Sequence, residues 1–285
     1  MQTYPWFDQV PDHLKTRRQL AAQGLRPGGP VIAQVVWRRG KAHADLYDQN
    51  AAKPKRAMTE AQRAALASAQ QARRTCPGCQ TLFPFVLGAH VDCPVCFERM
   101  LARDRARAIR QARIWLHSPR TIILDTETTD LDGYLVQIAA IDTTGQVVLD
   151  TLVNPRAPIS AGARRVHGMS DDQVADAPTF EQIADDLLVL LRGRRIVTYN
   201  ADFDSGILQN ELARLAGGFA RGWDAARAVM RQQHWRCAMT LYAAYVGEYS
   251  DYHGSYRWQP LAGGDHTALG DCRACLETLR RMAED

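Results

Sequence analysis

Four carboxylates and one imidazole stand in three short segments of this 285-residue chain: Asp125 and Glu127, then Asp204, then His266 and Asp271. Side chains alternate across an extended strand. Asp125 and Glu127, two residues apart after the apolar run Ile122, Ile123, Leu124, are therefore expected to project from one face at the strand's end. Asn200 reads as the cap of a helix, and Asp204 lies about one turn into it on the stripe continued by Ile207, Leu208 and Leu212. It is expected to face inward, where an ionised group needs a partner. Asp271 falls about one turn into a final helix and His266 in the loop before it, so the two can approach one centre from different directions. Asp202 reads only as a favourable charge in a first helical turn.

Two carboxylates about 4 Å apart repel by roughly 4 kcal/mol at an effective dielectric near 20, and four such groups converging require compensation. Divalent cations supply it. Oxygen-only ligands favour Mg²⁺ or Mn²⁺, and two such ions can stabilise both the attacking and the leaving oxygen of a phosphodiester displacement. Histidine is the side chain suited to taking a proton at neutral pH, which gives His266 the role of general base.

The segments ILDTETTD, TYNADFDSGIL and DHTALGD resemble the three motifs of the DEDDh 3′-to-5′ exonucleases. That superfamily includes the proofreading subunit of the bacterial replicative polymerase, RNase T and oligoribonuclease. The resemblance covers about residues 120–283 and implies a ribonuclease-H-like fold with two catalytic metal ions. It implies that Asp125, Glu127, Asp204 and Asp271 are the metal ligands and His266 the base. Thr267, not tyrosine, stands four residues before Asp271, which excludes the tyrosine variant. The resemblance further implies that the Thr128 backbone meets the terminal 3′-hydroxyl, that Leu131 wedges against the last base, and that Asn200 and Phe203 shape the pocket. His167, in the segment Val166-His167-Gly168-Met169-Ser170, is implied as a substrate contact. Asp130 replaces the glycine common at its position, and the tyrosine-rich stretch of residues 235–258 is not typical of proofreading subunits; it is expected to bear on substrate preference.

The elements that must position these groups follow from periodicity. Strands are expected at residues 122–124, 135–141 and 146–153 with turns at Asp132-Gly133 and Thr144-Gly145, a helix at 180–191, a strand at 195–199, and helices from Asn200 to about residue 215 and over 267–282. The sum is an α/β fold: a mixed sheet flanked by helices. Upstream, a short helix over 11–23 and a strand over 31–37 are expected; Thr59 and Gln62 form a capping box for a helix to about residue 74, and a long basic helix runs over 97–117, with Met100, Leu101, Ala108, Ile109, Ala112 and Leu116 on one face.

Cys76-Pro77-Gly78-Cys79 and Cys93-Pro94-Val95-Cys96 are two knuckles at zinc-ribbon spacing, joined by residues 80–92 with apolar character enough for a hairpin. One structural Zn²⁺ is the expectation: four thiolates complete a tetrahedron without His90, and no position stays open for catalysis. Cys237, Cys272 and Cys275 read as small core residues. The expected organisation is a poorly defined basic segment (1–58), a module of helix, zinc ribbon and basic helix (59–118) and the exonuclease domain (119–285). Residues 1–120 hold 20 Lys+Arg against 8 Asp+Glu and residues 121–285 hold 15 against 23, so a net charge of +4 conceals halves of +12 and −8. A basic module beside an acidic catalytic one suits a polyanion, and the first 118 residues, with Arg73, Arg74, Arg99, Arg103, Arg105, Arg107, Arg110 and Arg113, are expected to add phosphate contacts. Partners are the 3′ end of single-stranded DNA or RNA, and a polymerase or other nucleic-acid machinery. The opening residues carry no readable secretory signal, no apolar run is long enough to span a membrane, and paired cysteines fit the reducing cytoplasm. A competing reading is a zinc-containing adaptor that binds nucleic acid and uses the exonuclease fold as a non-catalytic platform.

Overall fold

The computed structural model describes residues 1–37, 41–87 and 93–285. It divides into two compact units, Met1–Cys76 with Gln80–Leu87, and Pro77–Cys79 with Gly88–Asp285.

The first unit contains β1 (Gln2–Tyr4), β2 (Leu14–Thr16), α1 (Arg17–Ala22), β3 (Leu25–Arg26), β4 (Ala33–Trp37), β5 (Ala42–Asp48), β6 (Lys53–Pro54) and α2 (Glu60–Arg74). A four-stranded sheet in the order β1-β4-β5-β2 buries Leu14, Ala33, Val35 and Leu46, so residues 1–58 are not the undefined segment the sequence suggested. The helix expected over 11–23 splits. Thr16 stays extended because its Oγ1 accepts from the Gln19 N–H at 3.2 Å while its own N–H donates to Gln19 Oε1 at 2.8 Å, a capping box that starts the helix only at Arg17 and frees Leu14 to pair with Asp48. The Thr59–Gln62 capping box opens α2, none of whose residues is buried.

The second unit contains α3 (Pro94–Leu116), β7 (Thr121–Thr128), β8 (Leu135–Asp142), β9 (Val147–Leu152), α4 (Ala161–His167), α5 (Asp171–Val174), α6 (Phe180–Leu191), β10 (Arg195–Thr198), α7 (Ala201–Leu215), α8 (Phe219–Met230), β11 (His234–Cys237), α9 (Ala238–Val246), β12 (Tyr249–Ser250), β13 (Ser255–Tyr256) and α10 (Ala268–Glu284). Its five-stranded sheet has the order β11-β10-β7-β8-β9; β7, β8 and β9 pair antiparallel, and β10 and β11 join β7 in parallel. This is the ribonuclease-H-like mixed sheet. Alternation along β7 and β8 splits the core. Ile123, Ala139 and Ile141 pack with α3, α9 and α10, whereas Ile122, Leu124, Ile138 and Ala140 pack with α6 and α7.

The expected boundary at residues 118/119 moves. Ala108, Ala112 and Trp115 of α3 are buried in one cluster with Cys272, Leu276 and Leu279 of α10, so the long basic helix is part of the exonuclease core. Two of its arginines are engaged there rather than held out for phosphate: Arg113 Nε donates to the Ala283 carbonyl at 2.7 Å, and Arg105 pairs with Asp285 and covers the Tyr245 ring at 4.5 Å. Among the cysteines outside the knuckles, Cys272 and Cys275 are buried in this core and Cys237 is half-buried.

Candidate active site

β7 runs past the apolar triplet to Thr128, because β8 keeps pairing with it: Asp125 lies opposite Ala139 and Glu127 opposite Gln137, before a register shift after Glu127. The two carboxylates thus stand within a strand, on its Ile123 face. Gln137 also positions the third motif, its Oε1 accepting from the Ala268 N–H at the start of α10 at 3.0 Å. That bond brings Asp271, one turn further on, over Glu127. Carboxylate oxygens of Asp125, Glu127 and Asp271 lie within 4.8 Å of one another.

Asp204 reaches the group from the first turn of α7. It is 2% exposed, and Thr126 Oγ1, on the opposite face of β7 from Asp125, donates to its Oδ1 at 2.8 Å. The inward stripe of α7 holds as expected. Asn200 does not cap that helix with its side chain, which is exposed and makes no capping hydrogen bond; its carbonyl accepts from the Phe203 N–H at 3.1 Å instead. Phe203 is half-buried against the α6–α7 core.

Burial and mutual repulsion set the electrostatics. Burial first, then Asp204, Glu127 and Asp271, hold the Asp125 carboxyl well above its ordinary range. Burial, then Asp271 and Asp204, lift Glu127 to about 8, and burial lifts Asp204 to about 7 against the Thr126 hydrogen bond. Asp271 is raised by burial too, opposed by backbone donors. Among the described residues, none of the four forms an ion pair with Lys or Arg. An all-oxygen donor set, repelling and uncompensated by protein cations, fits hard divalent cations.

His266 lies outside the trio, exposed, on a loop in the left-handed region at φ 59°. A non-glycine residue there is strained and must be held. Asp271 holds it: its Oδ1 accepts from the Asp265 N–H at 3.0 Å and the His266 N–H at 3.2 Å. The loop passes so close to the carboxylate that a Cβ on Gly264 would lie 2.6 Å from Asp271 Oδ1.

The expected substrate-side residues divide into two kinds. Leu131 is 79% exposed at the tip of the β7–β8 loop. Thr128 is buried, its Oγ1 donating to the Asp130 carbonyl at 2.7 Å. Asp130 takes the place of glycine without a positive φ, and its Oδ1 accepts from the Leu131 N–H at 2.9 Å. His167 is not open to a substrate: it is buried, its Nε2 donates to the Thr128 carbonyl at 3.2 Å and its Nδ1 accepts from the Met169 N–H at 3.1 Å. Burial also lowers its pKa, which keeps the ring neutral in that tautomer. Its position makes it a support for the Thr128 backbone.

Sequence reading missed Glu211. It is buried, accepts from the Leu135 N–H at 2.9 Å and from Arg214 Nη1 at 2.9 Å, while Arg214 lies 3.9 Å over the Tyr134 ring and donates to the Gly133 carbonyl at 3.1 Å. The pair braces the far end of the Leu131 loop. An acidic residue inside the apolar stripe of α7 was the available signal.

The cysteine knuckles close on themselves. The sulfurs of Cys76, Cys79, Cys93 and Cys96 all lie within 4.8 Å of one another, with Cys79 and Cys93 3.7 Å apart. Tetrahedral thiolate ligands about 2.3 Å from zinc are separated by about 3.8 Å, so the set fits that ion. The first knuckle is the tip of a short ladder, Thr75 bridging to Leu82; the second opens α3, Cys93 at its cap and Pro94 first in the helix. The remainder of the expected hairpin, with His90, falls on residues 88–92, outside the described residues.

The second part of the chain is similar to known exonucleases. The RNase T family model, described as exonuclease, matches residues 122–279, more than half of the chain. The uncharacterized exonuclease CP81 of Escherichia phage 186 is 36% identical over 188 residues, which is 61% of this chain and 93% of that protein. The DNA polymerase III subunit epsilon of Rickettsia felis is 38% identical over 108 residues, 35% of this chain and 47% of that protein, so the chain spans about half of that relative's length. Among solved structures, exonuclease X in complex with 5′ overhanging duplex DNA overlaps 58% of this chain and 93% of its own at 26% identity, with a TM-score of 0.37. The chain belongs to the RNase T exonuclease family: it is a DEDDh-type 3′-to-5′ exonuclease, a phosphodiesterase whose substrate is nucleic acid.

Proposed function

We propose that the protein removes nucleoside 5′-monophosphates one at a time from the 3′ end of single-stranded DNA or RNA. The observation that carries this reading is the convergence of Asp125, Glu127 and Asp271 within 4.8 Å, beside a buried Asp204, with no Lys or Arg ion pair to balance them among the described residues. Asp125, Glu127, Asp204 and Asp271 would hold two Mg²⁺ or Mn²⁺ ions. Such ions, when bound, activate water as a nucleophile and stabilise charge on the leaving oxygen. His266 takes the proton from the attacking water; exposed on its loop, it returns that proton to solvent between turnovers. Asp271 keeps the imidazole in place through the Asp265 and His266 N–H bonds. Leu131 presses on the last base, the Thr128 backbone, backed by His167, receives the terminal 3′-hydroxyl, and Asn200 and Phe203 line the pocket. Cys76, Cys79, Cys93 and Cys96 would hold one structural Zn²⁺, which suits a reducing compartment such as the cytoplasm.

The test is hydrolysis of matched 3′-labelled DNA and RNA oligomers in Mg²⁺, with EDTA as control. The parent releases labelled mononucleotide only with the cation, and Asp125→Ala releases none while keeping the parent's circular dichroism. Equal turnover by Asp125→Ala sinks the assignment.

A further inference from the structure

Immediately before the third catalytic segment, the chain builds a small ribbon. β12 pairs antiparallel with β13, Gly254 at φ 64° closing the turn, and the Arg257 N–H donates to the Glu248 carbonyl at 2.7 Å. A two-stranded ribbon this short is not stable alone. Its inward aromatic rings anchor it: Tyr249 meets Tyr256 edge-on at 5.4 Å, Phe97 of α3 meets Tyr249 edge-on at 5.4 Å, and the Tyr256 hydroxyl donates to Asp104 Oδ2 at 2.9 Å.

The outward rings have no such use. Tyr252 is 92% exposed and Trp258 75% exposed, and His253 stands edge-on to Tyr252 at 4.8 Å. Tyr252, His253, Ser255, Arg257 and Trp258 border an open cavity of about 770 Å³. Arg257 is exposed and forms no ion pair among the described residues. Large rings held out into water by a braced ribbon, with a cation bordering the same cavity, match what a single-stranded nucleic acid requires. Every base offers a π-face whatever its identity, and the backbone offers a phosphate to the guanidinium.

The ribbon is also tied to the catalytic end of the sheet. The Tyr199 hydroxyl donates to the Gln259 carbonyl at 2.6 Å, which fixes the residue after Trp258 to the chain that leaves β10 and enters the Asn200–Asp204 segment. β10 runs parallel to β7, so that point lies at the end of the sheet towards which Asp125 and Glu127 lie. From there residues 259–266 lead directly to His266.

We propose that Tyr252 and Trp258 form a stacking platform for bases upstream of the 3′-terminal nucleotide, with Arg257 meeting the intervening phosphate. This rests on the exonuclease reading above and adds to it that the strand is gripped unpaired, by its base faces, outside the catalytic pocket. Stacking on an aromatic side chain, removed by alanine, corresponds to a loss of roughly five- to 150-fold in affinity per base.

The experiment compares the parent, Tyr252→Ala/Trp258→Ala and Tyr252→Phe/Trp258→Phe. Affinity for a fluorescein-labelled oligothymidylate is read by anisotropy in EDTA, where no turnover occurs, and hydrolysis of a dinucleotide is read in Mg²⁺. The alanine pair binds the oligomer at least roughly fivefold more weakly, the loss persists in high salt because stacking is not ionic, the phenylalanine pair recovers most of it, and all three cleave the dinucleotide alike. Unchanged binding by the alanine pair, or a phenylalanine pair as weak as the alanine pair, overturns the platform. A parent that shortens neither the oligomer nor the dinucleotide in Mg²⁺ while the alanine pair still loses oligomer binding refutes the exonuclease reading and keeps the platform.

Discussion

Asp204→Asn should make the metal-free protein more stable while destroying its activity. The carboxyl is 2% exposed, with Thr126 Oγ1 as its donor, and burial raises its pKa from 3.8 to about 7. The sign follows from proton binding. In the unfolded chain the group ionises near 3.8, whereas in the fold it keeps its proton until about pH 7. Folded protein therefore binds more protons across that window, and stability contributed by the protonated carboxyl is complete below pH 3.8 and lost progressively up to about pH 7. At about 1.4 kcal/mol per pKa unit the full window is worth roughly 4 kcal/mol. The asparagine keeps the acceptor for Thr126 but buries an amide N–H₂ that costs about 1–2 kcal/mol without a partner, leaving a net gain of roughly 2–3 kcal/mol above pH 7. With about 2–4 °C per kcal/mol for a unit of this size, the exonuclease transition in EDTA should rise by roughly 4–12 °C at pH 8 and by nothing, or slightly less than nothing, at pH 4. Differential scanning calorimetry at both pH values, then again in Mg²⁺, provides the measurement. Added Mg²⁺ should raise the parent's transition more than the variant's. A variant less stable than the parent in EDTA at pH 8, or a gain of the same size at pH 4, would refute the argument that this carboxylate is strained without its cations.

Three further outcomes follow from the geometry. His266→Ala should lower kcat at neutral pH by roughly 10²–10⁴-fold while leaving Mg²⁺ binding by calorimetry unchanged, since its imidazole stands outside the carboxylate trio; a variant within a factor of about two of the parent removes the histidine from the chemistry. Gly264→Ala places a methyl 2.6 Å from Asp271 Oδ1, so the carboxylate must shift; turnover should fall at least about tenfold with a thermal transition close to the parent's, because the strain falls on a movable side chain rather than on the core. A chain starting at Pro119 should lose cooperative unfolding and bind a hydrophobic dye, whereas one starting at Pro94 should retain both fold and dinucleotide hydrolysis, because only the first strips Ala108, Ala112 and Trp115 from the α10 core; equal stability of the two contradicts the placement of α3.

How much could be read from the chain depended on how local the cause was. The Thr59–Gln62 capping box, helix α6 and the inward Asp204 were legible because each is set by neighbours within a turn or two. So were the cysteine knuckles, whose spacing alone brings two sulfurs onto one turn. Asn200 stands at the N-cap of α7 but makes no side-chain capping bond, since a residue that can cap need not do so with its side chain, and the type of His167 says nothing about whether its nitrogens are already bonded. The four-stranded sheet of the first unit was invisible for another reason: its pairs, such as Leu14 with Asp48, join positions far apart in sequence across short strands of weak alternation.

By itself the sequence determined which residue types stand at which spacing: two carboxylates on one face of a strand, one in the first turn of each of two helices, a histidine in the loop before the second, and four thiols in two tight turns. Only the tertiary structure decided that Gln137 draws the start of α10 over β7 so that three carboxylates share one centre, that Glu211 and Arg214 brace the Leu131 loop, and that α3 closes the catalytic core. Periodicity tells a side chain which way it faces. What it meets there is settled by how apolar surfaces from distant parts of the chain fit together, and no local pattern carries that information.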